Sequence, residues 1–194
     1  FSFQTFNAAH QGGKVDEVKA LSGKATPSYT EKGRTEVKIM ADQLSTNAQE
    51  PSEGPIKNLV DGKSNTFFHT RWSSPQIPLP HYIQVNFAED HKDFAIYYQN
   101  RTDNTWTTEG RPSVIMLQSS NDGSVWDTLA TLTGLPITHS SEYTSDYVMT
   151  DNSFRYFRLV VTATSGSTSY FNMAKFAFYD VNVEVYDPET VPLD

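Results

Sequence analysis

At 194 residues the chain is long enough for one domain with an appendage and a sizeable hydrophobic core. Aromatic residues make up 13% of the sequence and charged residues only 20%, a mixture typical of a β-rich globular protein rather than a disordered one. The net charge of -8, with Lys and Arg scattered singly, argues against nucleic acid and anionic membranes as partners, and the absence of Cys excludes disulfides, thiol nucleophiles and thiolate zinc sites.

Composition divides the chain into three parts. Residues 1–36 are polar and turn-rich, which predicts an N-terminal extension that is extended or partly ordered and that adds at most one strand. Residues 37–187 carry the strand-like segments, and residues 188–194 read as a tail or linker. The chain begins at Phe1, so we expect an excised piece or a processed form, with any targeting segment out of view. No apolar run approaches the roughly 18 residues of a membrane span.

The segments that follow residue 37 show the alternation of β-strands. "HYIQVNF" places Ile83, Val85 and Phe87 on one face, and "FRYFRLVVTAT" does the same for Phe157, Leu159 and Val161. Between them, "RPSVIMLQSSNDGSVW" joins an apolar run to the tight-turn signal Asn-Asp-Gly. Short strands separated by turns predict an all-β fold, an antiparallel β-sandwich or jelly roll. We expect eight strands and little helix.

Four segments, in order, resemble one family. "NLVDGKSNTFFHT" is similar to a turn that continues as Thr, an aromatic residue and His-Thr, and "PHYIQVNF" to an aromatic-Ile-x-Val-Asp-Leu strand. "SSNDGSVWDTLA" resembles a Ser-Asn-Asp-Gly-x-x-Trp hairpin, and "FRYFRLVVTATSG" with "YFNMAKFAFYD" resembles the two closing strands. The family is the discoidin, or coagulation factor V/VIII type C, domain, which includes the family 32 carbohydrate-binding modules. The resemblance covers about residues 37–180. It implies a galactose-binding-domain-like jelly roll whose loops at one end hold a ligand.

The resemblance also implies a carbohydrate-binding site. Arg101 falls on an Arg that donates to sugar hydroxyls, and Glu109 falls where Asn is usual, which exchanges a donor and acceptor for an acceptor alone. Trp106 lies in a polar loop, where its ring is placed either to stack on a sugar or to fold back over the loop. The expected carbohydrate-binding residues are Arg101, Trp106, Glu109, His69, Tyr170 and Phe171.

Several of these positions have a structural alternative. One of Tyr170 and Phe171 is expected to face solvent while the other fills the sandwich, and a lone His such as His69 is often a structural residue. The resemblance also allows Arg71 to turn toward the ligand. Trp126 follows the tight hairpin and is expected to be structural.

Family members commonly hold a structural calcium ion, and here its ligands would come from Asn58, Asp61, Lys63, Thr66 and Ala174. The family Glu that completes the site is replaced by Lys175. We therefore expect no metal and no other cofactor, with the Lys175 ammonium lying near the Asp61 carboxylate instead. The alternative is that "VNVEVYD" is the true closing strand, which would bring Glu184 to this position.

No catalytic constellation is present in the sequence. Its Asp and Glu are dispersed without marking a glycosidase pair, and neither a nucleophile elbow nor an HExxH motif occurs. The expected function is a non-catalytic carbohydrate-binding module of a secreted or surface bacterial protein, extracellular or periplasmic, monomeric, and possibly cut from a larger glycoside hydrolase. Its partner would be a glycan, with family precedent leaning to galactose-type or N-acetylhexosamine residues. The alternative is a discoidin-type adhesion module that binds a protein.

Overall fold

A computed structural model describes residues 26–103, 105 and 107–187. Within that part of the chain the fold is all-β, and the only helical segments are three short 3-10 turns, at Ala41–Gln43, Ile56–Val60 and Ser165–Ser167. None of the described segments forms a helix of the length and apolarity needed to cross a membrane. The strands are β1 Ser28–Val37, β2 Leu44–Thr46, β3 Phe68–His69, β4 His81–His91, β5 Phe94–Gln99, β6 Pro112–Ser120, β7 Asp127–Leu132, β8 Glu142–Thr144, β9 Phe154–Thr164, β10 Asn172–Met173 and β11 Lys175–Tyr186.

These strands form two main sheets and a short ribbon. One sheet has the order β2-β4-β9-β6-β7, the other β1-β11-β5-β8, and β3 pairs with β10. The pairings of β4 with β9, β6 with β9, β5 with β11 and β3 with β10 are all antiparallel. The antiparallel β-sandwich predicted from the sequence is therefore confirmed. The predicted count of eight strands was too low, because pairings of two or three residues, such as β3 with β10, leave no alternation long enough to read.

The core lies between the two main sheets and is rich in Phe. On β4, Ile83, Val85 and Phe87 are buried, as the alternation of "HYIQVNF" predicts. On β9, Phe157 packs edge-on against Phe94 of β5, with 5.3 Å between ring centroids. Burying side chains of this size supplies the main driving force for folding, about 1.5–3 kcal/mol for each.

The predicted tight turn closes the hairpin between β6 and β7. Gly123 has φ +71°, a left-handed conformation that favours glycine. The Asp122 carboxylate accepts hydrogen bonds from the backbone N–H groups of Ser124 and Val125 at 2.8 and 2.9 Å. After the turn, the centroid of the Trp126 ring lies 3.8 Å from the Arg158 guanidinium on β9. Trp126 therefore has a structural role.

Contacts along the chain define a large unit, Glu31–Asn182, and a small one made of Phe1–Thr30 and Val183–Asp194. The large unit contains every described residue discussed below except those at the end of β11, from Val183 to Tyr186. Most of the expected N-terminal extension, and the tail from residue 188, lie outside the described residues.

Candidate functional site

The short ribbon of β3 and β10 sets the geometry of the site. In its register His69 lies opposite Asn172, so the residues just before Asn172 arrive beside the His69 side chain. The Tyr170 ring is 5.2 Å from the His69 ring, measured between centroids. Two segments about a hundred residues apart in sequence thus meet, and both carry residues predicted to contact a ligand.

His69 is held in one orientation. Its side chain is buried, and Nδ1 lies 2.6 Å from the Thr70 carbonyl oxygen, a contact in which Nδ1–H donates. Burial lowers the pKa of His69, although the Thr70 carbonyl opposes this effect, so the ring is neutral near pH 7. A neutral imidazole that donates from Nδ1 keeps Nε2 as a hydrogen-bond acceptor.

Tyr170 and Phe171 have different roles, which the sequence alone did not distinguish. Phe171 is fully buried and packs edge-on against Phe68, with 5.6 Å between ring centroids. Its N–H and carbonyl are both bonded to Thr70. The assignment of Phe171 as a ligand contact was wrong, because its ring fills the core. Tyr170 is half-buried, and its partly exposed ring remains a stacking surface.

Glu109 reaches the same place from the loop before β6. Burial and the neighbouring Glu109 carboxylate raise the pKa of the Tyr170 phenol. Gly110, with φ +69°, lies so close to Tyr170 that a Cβ atom there would be 2.8 Å from the ring. Glu109 itself is exposed, and its Cγ packs against Gly166. The site therefore includes an exposed acceptor beside the tyrosine.

Arg101 is part of this cluster, and it is paired with a neighbouring carboxylate. Its guanidinium lies 3.4 Å from the centroid of the Phe67 ring, and the Phe67 ring is 6.4 Å from that of His69. Nε and Nη2 donate to the two oxygens of Asp103 at 2.5 and 3.1 Å. This pairing lowers the pKa of Asp103 and neutralises the arginine charge. Arg101 therefore stands next to His69 as half of an ion pair.

A buried pair lies beneath the surface groups. Arg111 is fully buried and donates through Nη1 to the Asn172 side-chain oxygen. Its backbone N–H donates to Ser165 Oγ at 3.0 Å, and the Asn172 N–H donates to the Gly110 carbonyl at 2.9 Å. These contacts fix the loop of Glu109 to the ribbon that carries His69. Trp106, the remaining predicted contact, lies outside the described residues.

A buried carboxylate that the sequence analysis missed organises the neighbouring surface loop. Glu50 is 2% exposed and accepts hydrogen bonds from Ser52, Trp72 and Ser73. Burial alone would raise the pKa of Glu50, but hydrogen bonds from Ser52 and Ser73 outweigh it and lower the pKa to about 2. The flanking Pro and Ser residues made Glu50 look like part of a solvated loop.

Arg71, which the sequence allowed to turn toward a ligand, braces this same loop. Its Nη2 lies 3.4 Å from the Ser74 carbonyl oxygen, and its backbone N–H donates to the Ala48 carbonyl at 2.8 Å.

Comparison with known families assigns the architecture. The family model described as the F5/8 type C domain matches residues 43–176. The chain belongs to this family. The match contains every predicted carbohydrate-binding residue, and it agrees with the resemblance carried by the four sequence segments.

Solved structures of similar fold include carbohydrate-binding modules. CpGH89CBM32-5 from Clostridium perfringens, solved with GalNAc-β-1,3-galactose, is 19% identical, covers 74% of this chain and 99% of its own, and has a TM-score of 0.61. The family 32 module of C. perfringens NanJ, solved with galactose, is 20% identical, with 76% and 99% coverage and a TM-score of 0.58. The C-terminal domain of a Bacteroides fragilis chitobiase is 21% identical, with 78% and 99% coverage and a TM-score of 0.59.

Among curated proteins, a lacto-N-biosidase from Bifidobacterium bifidum is 27% identical over 118 residues. The match covers 59% of this chain and only 11% of that relative. The chain thus spans a small part of that much longer protein.

In the loop that would hold calcium in an F5/8 type C domain, the polar groups of this chain bond to one another. Asp61 accepts from the Thr66 hydroxyl through both oxygens, at 3.0 and 2.9 Å, and from the Lys63 N–H at 2.9 Å. Lys175 and Asp61 line one cavity of about 880 Å³. One carboxylate facing a lysine is a poor donor set for a divalent cation. No three His, Cys, Asp or Glu side chains cluster among the described residues.

The Lys175 ammonium was predicted to lie near the Asp61 carboxylate. The two residues line the same cavity, but the ion pairs of the described residues do not include one between them, and Asp61 bonds locally to Thr66 and Lys63. The closing strand itself is one continuous element, since β11 runs from Lys175 to Tyr186 with Lys175 opposite Gln99. Lys175 therefore stands at the beginning of that strand, and Glu184 lies near its other end.

Proposed function

We propose that this chain is a non-catalytic carbohydrate-binding module. The observation that supports it most directly is the partly exposed Tyr170 ring, fixed 5.2 Å from a neutral His69 and next to the exposed carboxylate of Glu109. An aromatic face suits the C–H side of a sugar ring, and the acceptors suit its hydroxyl groups. The expectation of a protein-adhesion module finds no support among the similar structures, of which at least three were solved with sugars.

The charges around the site favour a neutral glycan. Asp103 pairs with Arg101, Glu109 sets an exposed negative charge beside Tyr170 above the buried Arg111, and the chain as a whole carries -8. A sialylated, sulfated or uronate sugar would have to approach this surface against its charge. On a glycan array we expect neutral galactose-type and N-acetylhexosamine glycans to bind, and their sialylated or sulfated counterparts to bind weakly. A preference for the anionic glycans would contradict this assignment.

Replacing Tyr170 by alanine is expected to weaken binding of an array-positive sugar about tenfold, because it removes the stacking face while leaving Phe171 in the core. Affinity of the native chain for one sugar residue is expected to be about 0.1–1 mM, measured by isothermal titration calorimetry. Tyr170→Phe is the matched control and should retain most of the affinity. Equal affinity of the native and Tyr170→Ala proteins would show that the sugar binds elsewhere.

We further propose that the module is an accessory part of a longer secreted or surface bacterial protein and folds without calcium. The match covers only 11% of the bifidobacterial relative, which supports the proposal that the module belongs to a longer protein. The lysine at the position of the family glutamate supports the proposal that it folds without calcium.

A further inference from the structure

Trp72 lies on the surface with its ring held in place. Its side chain is 43% exposed, a large apolar area to leave in water. The indole N–H donates to Glu53 Oε1 at 2.9 Å, which restricts rotation of the ring. An exposed aromatic side chain with a fixed orientation loses little conformational entropy when a ligand stacks on it.

The backbone beneath Trp72 is anchored as well. The N–H groups of Trp72 and Ser73 donate to Glu50 Oε2 at 3.2 and 3.1 Å, and Gln76 Nε2 donates to the Trp72 carbonyl at 2.8 Å. Because Glu50 is buried and charged, the two bonds that it accepts are stronger than hydrogen bonds between neutral groups. The loop therefore presents the indole from a rigid base.

The partner of Trp72 at one end of the loop from Trp72 to Gln76, and Gln76 at the other end, both lie next to the candidate sugar site. Glu53 precedes Gly54, whose carbonyl accepts from the His69 N–H at 2.9 Å. At the other end, the Ser169 hydroxyl donates to Gln76 Oε1 at 3.2 Å, immediately before Tyr170. The loop from Trp72 to Gln76 thus runs along the same side as the pair of His69 and Tyr170.

We propose that Trp72 and Glu53 form a second subsite, which stacks on the sugar residue next to the one held at His69 and Tyr170. The indole supplies an apolar face, and Glu53 supplies a carboxylate that accepts from sugar hydroxyls. The subsite suits an uncharged hexose or N-acetylhexosamine within a chain, so the module prefers oligosaccharides to single sugars. This inference rests on the proposed function of the first subsite.

The test compares single sugars with disaccharides by isothermal titration calorimetry. The probes are galactose, N-acetylgalactosamine and N-acetylglucosamine, and the disaccharides GalNAc-β-1,3-galactose and N-acetylglucosamine-β-1,4-N-acetylglucosamine. The native chain should bind its preferred disaccharide about tenfold more tightly than the single sugar. Trp72→Ala should abolish this gain and leave the affinity for the single sugar unchanged within twofold. In the native chain, the disaccharide but not the single sugar should change the tryptophan emission. Trp72→Phe should lose this change and keep part of the gain in affinity.

Val125→Ala is the control, because Val125 is 71% exposed in the hairpin between β6 and β7 and should leave every affinity unchanged. Equal affinities of the native chain for single sugars and disaccharides would overturn the second subsite while the proposed function stands. So would a disaccharide gain that survives in Trp72→Ala. A native chain that binds no glycan on the array or by calorimetry would overturn the proposed function, and this subsite with it.

Discussion

Glu50→Gln is expected to lower the free energy of unfolding by about 3 kcal/mol at pH 7, measured by urea denaturation followed by circular dichroism. The native carboxylate is buried and accepts through both oxygens from Ser52, Trp72 and Ser73. Glutamine has the same shape but turns an NH₂ group toward donors that need an acceptor. A hydrogen bond to a charged acceptor contributes about 1.5–3 kcal/mol, and the substitution weakens several at once.

The effect of this substitution should depend on pH. The pKa of Glu50 falls from 4.5 in the unfolded chain to about 2 in the folded one. The carboxylate therefore stabilises the fold fully above about pH 4.5, and this contribution is lost as pH falls through 4.5 toward 2. The difference in stability between the native and Glu50→Gln proteins should shrink to about half its neutral value near pH 3.

Glu89→Gln is the matched control, since it removes one carboxylate from an exposed position on β4. Its effect should stay within about 0.5 kcal/mol. If Glu50→Gln were no less stable than Glu89→Gln at pH 7, the buried carboxylate would not stabilise the loop. A difference between the native and Glu50→Gln proteins that persists unchanged at pH 3 would contradict the lowered pKa.

The sandwich could be predicted from the sequence because its long strands alternate apolar and polar residues. Ile83, Val85 and Phe87 repeat every second residue, and each faces the core. The short pairing of β3 with β10 left no such signal. The choice between Tyr170 and Phe171 also needed the structure, because neighbouring residues in extended backbone point to opposite faces and only the pairing with Thr70 and His69 shows which face is inside.

The candidate site was predictable as a set of segments but not as a set of contacts. Arg101 was identified by its position, whereas its pairing with Asp103 and its stacking on Phe67 depend on how two loops meet. Glu50 and Trp72 were not identified at all. Their hydrogen bond spans 22 residues between two polar loops, and no local pattern distinguishes a buried glutamate from a solvated one.

Lys175→Glu is expected to convert the module into one that calcium stabilises. The native chain should show the same melting temperature in 10 mM calcium chloride and in chelator. The variant supplies a second carboxylate at the cavity that Asp61 lines, opposite Gln99 at the beginning of β11. With a dissociation constant of about 0.1–1 mM, typical of extracellular calcium modules, 10 mM calcium would add about 1.4–2.7 kcal/mol. The melting temperature should therefore rise by about 3–10 °C, followed by circular dichroism.

Two further variants distinguish the loss of the lysine charge from the gain of a calcium ligand. Lys175→Gln removes the lysine charge without adding a strong ligand, so it should respond to calcium much less than Lys175→Glu does. Adding Asp61→Asn to Lys175→Glu removes the native carboxylate, leaves a single one and should abolish the response. Magnesium at 10 mM should fail to replace calcium because it demands a smaller, near-octahedral site. A rise of several degrees in the native chain would show that it holds the ion despite Lys175. If Lys175→Glu did not respond to calcium, the prediction of a restored site would be wrong, and the 2.9 Å bonds of Asp61 to Thr66 and to the Lys63 N–H would outweigh binding of the cation.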